Sequence, residues 1–399
     1  MKATRFIMAG RFIDGSGGEV RRNVFLQVTD TIITGIGPAT ELPRHEGAVI
    51  DDFSHCVILP ALVDCSVALT RSPSVDLQVR LAADKADPAA MAAMVERHSS
   101  YCHGYGVLGV AASDILSEPG EGCQKEMAPG GIIAMRSSGG LIRCRQDCPA
   151  GRLAGADFHK IDYSGNIEDE EAPYLRLERK ELRSILEQRG NRKAVVVANG
   201  RQQVADTLAA GCDAIEQGYN MGEENLRIMA EKDVLWIPSV LRARNGLDGA
   251  SSGGSVCCRF SQRYVAPGKP NPGAEAYWKK MLAGQLAQLR LARELGVKTA
   301  LGTGAGSVGI LHGESMVEEM KLFIKAGYSL AEAMRCASEV GARFFGMEQL
   351  GALTVGRQAT FLITRGAVQQ LPRKLSYLEG IYIDGAPSVT YRKNPVKIV

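Results

Sequence analysis

The sequence predicts an α/β protein: a (β/α)8 barrel with a small β-sandwich domain assembled from the N- and C-terminal segments. Three observations carry that expectation. Between Val57 and Gly346, apolar runs of strand length alternate with stretches of helical periodicity, the pattern of parallel strands covered by helices. Strand candidates begin at Val57, Val107, Gly131, Asp157, Ala194, Asp213, Val234 and Val297, and eight is the number at which such a sheet closes. Both chain ends instead carry short β-branched runs with no helical period. Residues 57–351 are therefore expected to form the barrel, and 1–56 with 352–399 the small domain.

In order, Ala3 to Met8, Asn23 to Val28 and Thr31 to Ile36 combine β-branched and apolar residues, with Gly-rich turns at Asp14 to Gly18 and near Gly37. Val57 to Leu69 opens the alternating region and Pro88 to His103 is its first helix. Ala194 to Ala198 is followed by Arg201 to Ala210, Asp213 to Glu216 by Glu223 to Lys232, and Val234 to Val240 by Glu275 to Leu295. After Val297 to Leu301 come two helices, Glu314 to Ala326 and Leu330 to Phe345. Ala359 to Thr364, Tyr377 to Ile383 and Ser388 to Tyr391 return to strand character. Asn245 to Gly273 is rich in Gly, Ser and Pro, and a loop of that length inside a compact domain usually serves function.

Composition excludes several classes. The 399 residues carry 47 Lys+Arg against 44 Asp+Glu, a formal charge of +3, and 45% are hydrophobic. A chain of this size buries a core large enough to need neither disulfide nor structural metal. Near-neutral charge supplies no field for nucleic acid. No apolar run reaches the ~20 residues that span a bilayer, and Arg5, Arg11 and Asp14 interrupt any signal-peptide core. The expectation is a cytoplasmic protein with a small-molecule ligand, no nucleic-acid or membrane partner and no cofactor; a homo-oligomer is left open. The ten cysteines are scattered, as free thiols of a reducing compartment are. Cys144 and Cys148, with Cys102, His103 and Cys123 earlier, lack the second tight pair a zinc site needs.

Five phrases, in order along the chain, carry a family resemblance: Val57-Ile-Leu-Pro-Ala-Leu-Val-Asp64; Gly155-Ala-Asp-Phe-His-Lys160-Ile; Ala210-Gly-Cys-Asp-Ala-Ile-Glu216-Gln-Gly218; Leu301-Gly-Thr-Gly-Ala-Gly306; and His312-Gly-Glu-Ser315 with Gly351-Ala-Leu-Thr-Val-Gly356-Arg-Gln-Ala359. Together they resemble the amidohydrolase superfamily, in its imidazolonepropionase and prolidase-like branch. The resemblance implies one or two divalent metals held by two His on strand one, a carbamylated Lys on strand four, His on strands five and six and Asp on strand eight. Carried over, the strand-one pair falls on Ser66 and Ala68, the other two His on Val197 and Gln217, and the Asp on Gly304; only Lys160 matches. None of the six His lies within one step of those His positions.

Side-chain alternation places Asp64, Ser66 and Ala68 on one face of strand one and Cys65 on the other, against helices. Lys160 then points inward and His159 outward. Lys160, Asp64 and Asp162 are the candidate catalytic groups, expected to form a buried ion pair where the metals would be, because an unpaired buried charge costs several kcal/mol; a basic or imine-forming Lys160 is the sharper alternative. Ser66, Asn199, Gln217, Arg242, Arg244, Gly304 and Gly306 are the candidate ligand-binding residues, with the glycine turn after strand eight offering backbone amides to an anion. His98 and His103, with polar neighbours, are expected to be solvated. The implied function is binding of a small anionic or amide ligand without metal-dependent hydrolysis; the alternative is a C–N hydrolase with an atypical metal set or none.

Overall fold

The computed structural model describes residues 4–43, 47–115, 132–143, 155–165, 167, 177–250 and 273–391. The N-terminal segment forms β1 (Thr4–Phe12), β2 (Arg21–Thr29), β3 (Ile32–Pro38) and β4 (Val49–Pro60). Pro60 ends β4, and after one residue β5 (Leu62–Val67) begins, so the chain crosses from one sheet to another at Ala61. The alternating region follows: α1 (Leu77–Asp84), α2 (Pro88–Gly104), β6 (Val107–Ala112), β7 (Ala134–Ser137), β8 (Leu141–Ile142), β9 (Phe158–Asp162), α3 (Arg179–Glu187), β10 (Lys193–Ala198), α4 (Arg201–Ala210), β11 (Ala214–Gln217), α5 (Glu223–Glu231), β12 (Leu235–Ile237), α6 (Val240–Ala250), α7 (Ala274–Glu294), α8 (Glu314–Lys325), α9 (Leu330–Cys336) and α10 (Glu339–Phe344). The chain closes with β13 (Phe361–Arg365), β14 (Leu378–Ile383) and β15 (Ala386–Pro387).

Both ends share a seven-stranded sheet in the order β15-β14-β13-β4-β1-β2-β3. Its β4 carries Val57 to Pro60, which the sequence reading had placed in the first barrel strand. Two parallel sheets carry the rest: β5-β6-β7 and β12-β11-β10-β9-β8. Residues 298–305 join them on one side, because Ala300 donates to Trp236 O at 2.9 Å and Cys65 to Leu301 O at 2.9 Å. On the other side Asp157 donates to Ser137 O at 2.8 Å. The structure is thus an α/β fold built on parallel sheets.

Register decides which side chains meet. Lys160 pairs with Val195, and one step up Asp162 pairs with Val197, which pairs with Glu216. Directly opposed residues share a face, so Lys160, Asp162 and Glu216 point to the same side. Below them Phe158, Val195, Ala214, Leu235, Ile237 and Ala300 make an apolar floor, closed by Phe345 edge-on to Phe158 at 4.9 Å. The opposite face packs under the helices, where Trp236 is fully buried and its Nε1 donates to Gln217 O at 3.0 Å.

Several expectations change. Leu330 to Phe345 is two helices: Ser338 leaves helical geometry at φ −140°, and its hydroxyl donates to Met334 O at 2.6 Å. Asn245 to Ala250 belong to α6, so Arg242 and Arg244 lie on a helix rather than at the mouth of a loop; 251–272 lie outside the described residues. Ser388 to Tyr391 is a turn, since Ser388 N donates to Ile381 O at 2.8 Å and Tyr391 N to Ser388 O at 3.3 Å. Trp236→Ala is expected to lower unfolding stability by about 3–5 kcal/mol, as for other large buried side chains, read from chemical denaturation; a loss under 1 kcal/mol would contradict this packing.

Candidate functional site

The C-terminal ends of the parallel strands surround a cavity of about 250 Å³ whose wall includes Ser66, Lys160, Asp162, Glu216, Arg242 and Gly304. At its base lies a buried ion pair. Lys160 is 7% exposed and Glu216 1%, and Lys160 Nζ is 2.7 Å from Glu216 Oε2. Ser66 joins the two, its hydroxyl donating to Glu216 Oε1 at 2.8 Å and accepting from Lys160 Nζ at 3.3 Å. Each charge thereby gains the partner that burial demands.

The ion pair was expected with Asp64 and Asp162, and both are engaged elsewhere. Asp64 Oδ1 accepts from Thr303 N at 2.9 Å and Ser66 N at 3.1 Å, and Oδ2 from the Thr303 hydroxyl at 2.5 Å. Burial raises its pKa to about 6, against the hydrogen bonds from Thr303. Asp162 Oδ1 accepts from Gly165 N at 2.9 Å, and Oδ2 is 3.6 Å from Arg143 Nε. A bulge accounts for the change on strand one. The register of β5 against β6 shifts between Asp64 and Val67, and a bulge breaks two-residue alternation. Asp64 therefore turns to Thr303 while Ser66 reaches the cavity. Cys65 packs against a helix, as expected, but from within the floor: it lies with Val63, Phe158 and Val195, and Gly341 of α10 has room for no side chain beside its sulfur. Burial pushes that thiol well above its ordinary value, so it is no nucleophile.

Glu216 is the residue that sequence reasoning missed. The strand-six phrase had been aligned with the imidazole at Gln217, but Glu216 faces the cavity. Gln217 adopts φ 71°, and its side-chain oxygen accepts from Ile167 N at 3.1 Å and Asn199 Nδ2 at 2.9 Å. Asn199 also donates to Gly165 O at 3.1 Å and accepts from Tyr219 N at 2.9 Å. The two amides fasten the connections after β9, β10 and β11 and are not part of the wall.

The glycine turn also differs from its expected use. Gly304 N donates to Ser66 O at 2.9 Å, Gly306 N to Ile310 O at 3.1 Å and Ser307 N to Gly304 O at 3.1 Å, so these amides are already engaged by the backbone. What Gly304 supplies is space: at φ 73°, a Cβ there would stand 2.5 Å from Arg242 Nη2. The guanidinium lies against the bare Cα. Gly306 allows a close backbone approach, since its Cβ would meet Ala68 O at 2.4 Å. Arg242 is held by the first turn of α6, whose Val240 and Leu241 amides donate to Glu319 at 2.8 and 2.7 Å; burial raises the Glu319 pKa to about 8. Arg244 points elsewhere, pairing with Asp248 at 2.9 Å.

The histidines overturn another expectation. His98 and His103 are 4% and 3% exposed, because Met94, Val95, His98, Ser99 and Cys102 form one buried stripe of α2. His98 Nδ1 bonds Leu69 O at 2.7 Å, His312 Nε2 bonds Ala68 O at 2.9 Å, and the two rings stack at 3.9 Å. The pair fixes the chain that leaves β5 along the cavity wall. His103 Nε2 meets Ser388 Oγ at 3.0 Å, tying α2 to the turn that follows β15. His159 faces away from the cavity as expected, near Arg192 and Arg189. Cys123, Cys144 and Cys148 lie outside the described residues.

Burial pushes His312 down to about 3, with repulsion from His98 adding, and lowers His98 as well. A histidine whose folded pKa lies below its unfolded value takes up its proton more readily when unfolded, so stability is present above pH 6.5 and is lost as pH falls toward 3. In His312→Gln, which keeps a donor for Ala68 O, about 2 kcal/mol of the stability loss between pH 7 and pH 4.5 is expected to vanish. Denaturation at both pH values checks it, and an unchanged pH slope would contradict a buried neutral His312.

At the places the resemblance assigns to imidazole stand Ser66, Ala68, Val197 and Gln217, and over Gly304, assigned to a carboxylate, lies a guanidinium. Among the described residues no group of three or more His, Cys, Asp or Glu could hold a metal ion. No helix among them is long and apolar enough to cross a membrane.

Solved structures with this architecture include a Xaa-Pro dipeptidase with bound methionine in its active site, 18% identical, TM-score 0.78, covering 97% of this chain and 100% of that one. An ochratoxinase of A. niger is 18% identical at TM-score 0.76, covering 97% and 95%, and a molinate hydrolase 16% identical at 0.72, covering 98% and 95%. At such identities the likeness shows the fold. No curated protein sequence matches. The family model of the amidohydrolases matches residues 154–398, which include Lys160, Glu216, Arg242 and the Gly304 turn: the chain belongs to the amidohydrolase family.

Proposed function

We infer that the two parallel sheets form one (β/α)8 barrel over about 57–351, and that 1–56 and 352–399 make a small domain whose sheet folds on itself as a sandwich. The junctions at residues 298–305 and at Ser137 support the first point. The second is supported by Ile7, Leu26, Ile58, Phe361 and Tyr382, which pack together although they come from five strands of one sheet. The protein binds a small anionic or amide-bearing molecule at the barrel mouth and does not carry out metal-dependent hydrolysis. One observation carries this reading: the Arg242 guanidinium fills the place over Gly304, with the Lys160 ammonium already paired to Glu216. Two fixed cationic heads repel a divalent cation and attract a carboxylate or phosphate. This donor set does not fit the family's metals. Buried thiols at Cys56, Cys65, Cys102, Cys212 and Cys336 agree with a reducing, cytoplasmic location.

Small carboxylic acids and phosphates are expected to raise the melting temperature of the wild type. The rise is expected to shrink in Gly304→Ala, whose new Cβ displaces the guanidinium. Equal stabilisation of both proteins, or stabilisation by cations alone, overturns the assignment.

The second reading, a C–N hydrolase, draws on the structural neighbours, which include a dipeptidase, an ochratoxinase and a molinate hydrolase. Elemental analysis of protein purified without chelator separates the two. No stoichiometric Zn, Mn, Fe or Ni is expected; about one equivalent retained through dialysis replaces the binding reading with the hydrolytic one.

A further inference from the structure

Resting on the reading of the cavity as an anion site, we propose that Lys160 forms a covalent imine with the carbonyl carbon of a small 2-oxo acid whose carboxylate lies against Arg242. Lys160 is the lysine among the described residues of the cavity wall, and the groups that imine formation needs are already around its nitrogen. Glu216 Oε2 at 2.7 Å is placed to take a proton from the ammonium, and Ser66 Oγ touches both Lys160 Nζ and Glu216 Oε1, bridging acid and amine. A lysine becomes a nucleophile toward carbonyls once its proton has an acceptor.

The step balances without any co-reactant. Glu216 accepts one ammonium proton, and the freed amine adds to the carbonyl carbon, forming the C–N bond. A second nitrogen proton passes by way of Ser66 to the former carbonyl oxygen. Glu216 returns its proton to that hydroxyl, the C–O bond breaks and water leaves. The nitrogen keeps one hydrogen and its positive charge. Glu216 is again a carboxylate beside a cation, so the covalent state leaves no buried charge unpaired.

The ligand class follows from the opposite wall. Gly304 is bonded through its amide to the carbonyl of Ser66 at 2.9 Å, and the guanidinium of Arg242 covers that glycine. A molecule bonded to Lys160 therefore shares the cavity with a guanidinium, which suits a carboxylate next to the reacting carbonyl. A space of about 250 Å³ limits the rest of the molecule to a few carbons.

The test treats the full-length protein with pyruvate, 2-oxobutyrate or 2-oxoglutarate and sodium cyanoborohydride, followed by peptide mapping. One reduced adduct per chain on the Lys160 peptide is expected from at least one of these acids, with none at that peptide in Lys160→Arg. Glu216→Gln is expected to slow its formation by about 100-fold, the usual worth of a positioned proton carrier. No adduct, or labelling of exposed lysines such as Lys180 and Lys279 as fast as Lys160, overturns the proposal, and the wild type alone decides this. Thermal shifts with the matching 2-hydroxy acids, which bind but cannot form an imine, separate the two levels. Stabilisation by both acids without an adduct removes the imine and leaves the anion site; no stabilisation and no adduct removes both.

Discussion

A lysine ammonium held above an apolar floor is the constraint around which the site is organised. Phe158, Val195, Ala214 and Ile237 leave the charge no water from below, so its compensation must come from its own level, where Glu216 stands two strands away on β11 and Ser66 on β5. Removing either carboxylate or ammonium leaves the other buried and unpaired, at a cost of roughly 3–5 kcal/mol. Ser66 in turn depends on the bulge of β5, and the bulge on Asp64, whose carboxylate ties Ser66 N to Thr303. A hydrogen-bonded chain thus runs from the cation through strand one to the glycine turn.

Arg242 is fixed by a different route. The buried carboxylate of Glu319 accepts the first amides of α6 and anchors the helix start, so the guanidinium is delivered from a backbone already held in place. The long side chain of Arg242 thus starts from a fixed point at the edge of the cavity. The stacked pair of His98 and His312 does the same for the chain leaving β5 by holding two successive carbonyls.

The order of strands and helices was legible because burial imposes a period on each: Arg201 to Ala210 matches α4 to the residue, and β11 and β14 differ from expectation by one residue at most at either end. What was not legible depends on partners far along the chain. Alternation sorts the faces of a strand but cannot foresee a bulge, so Asp64 was placed in the cavity. Whether Glu216 or Gln217 faces inward depends on register with β10, and that pairing spans some twenty residues. His98 looked solvated because its sequence neighbours are polar, whereas its acceptor, Leu69 O, is 29 residues away. The glycine turn offered amides on paper, but Ser66 O and Ile310 O had already claimed them.

The contact between Gly304 and Arg242 has an evolutionary consequence. A Cβ at position 304 would fall 2.5 Å from Nη2, so any residue larger than glycine must push the guanidinium aside. The two positions are therefore coupled: a side chain at 304 is best tolerated where position 242 carries a shorter one. Neither position is free to drift alone, far apart as they are in the sequence.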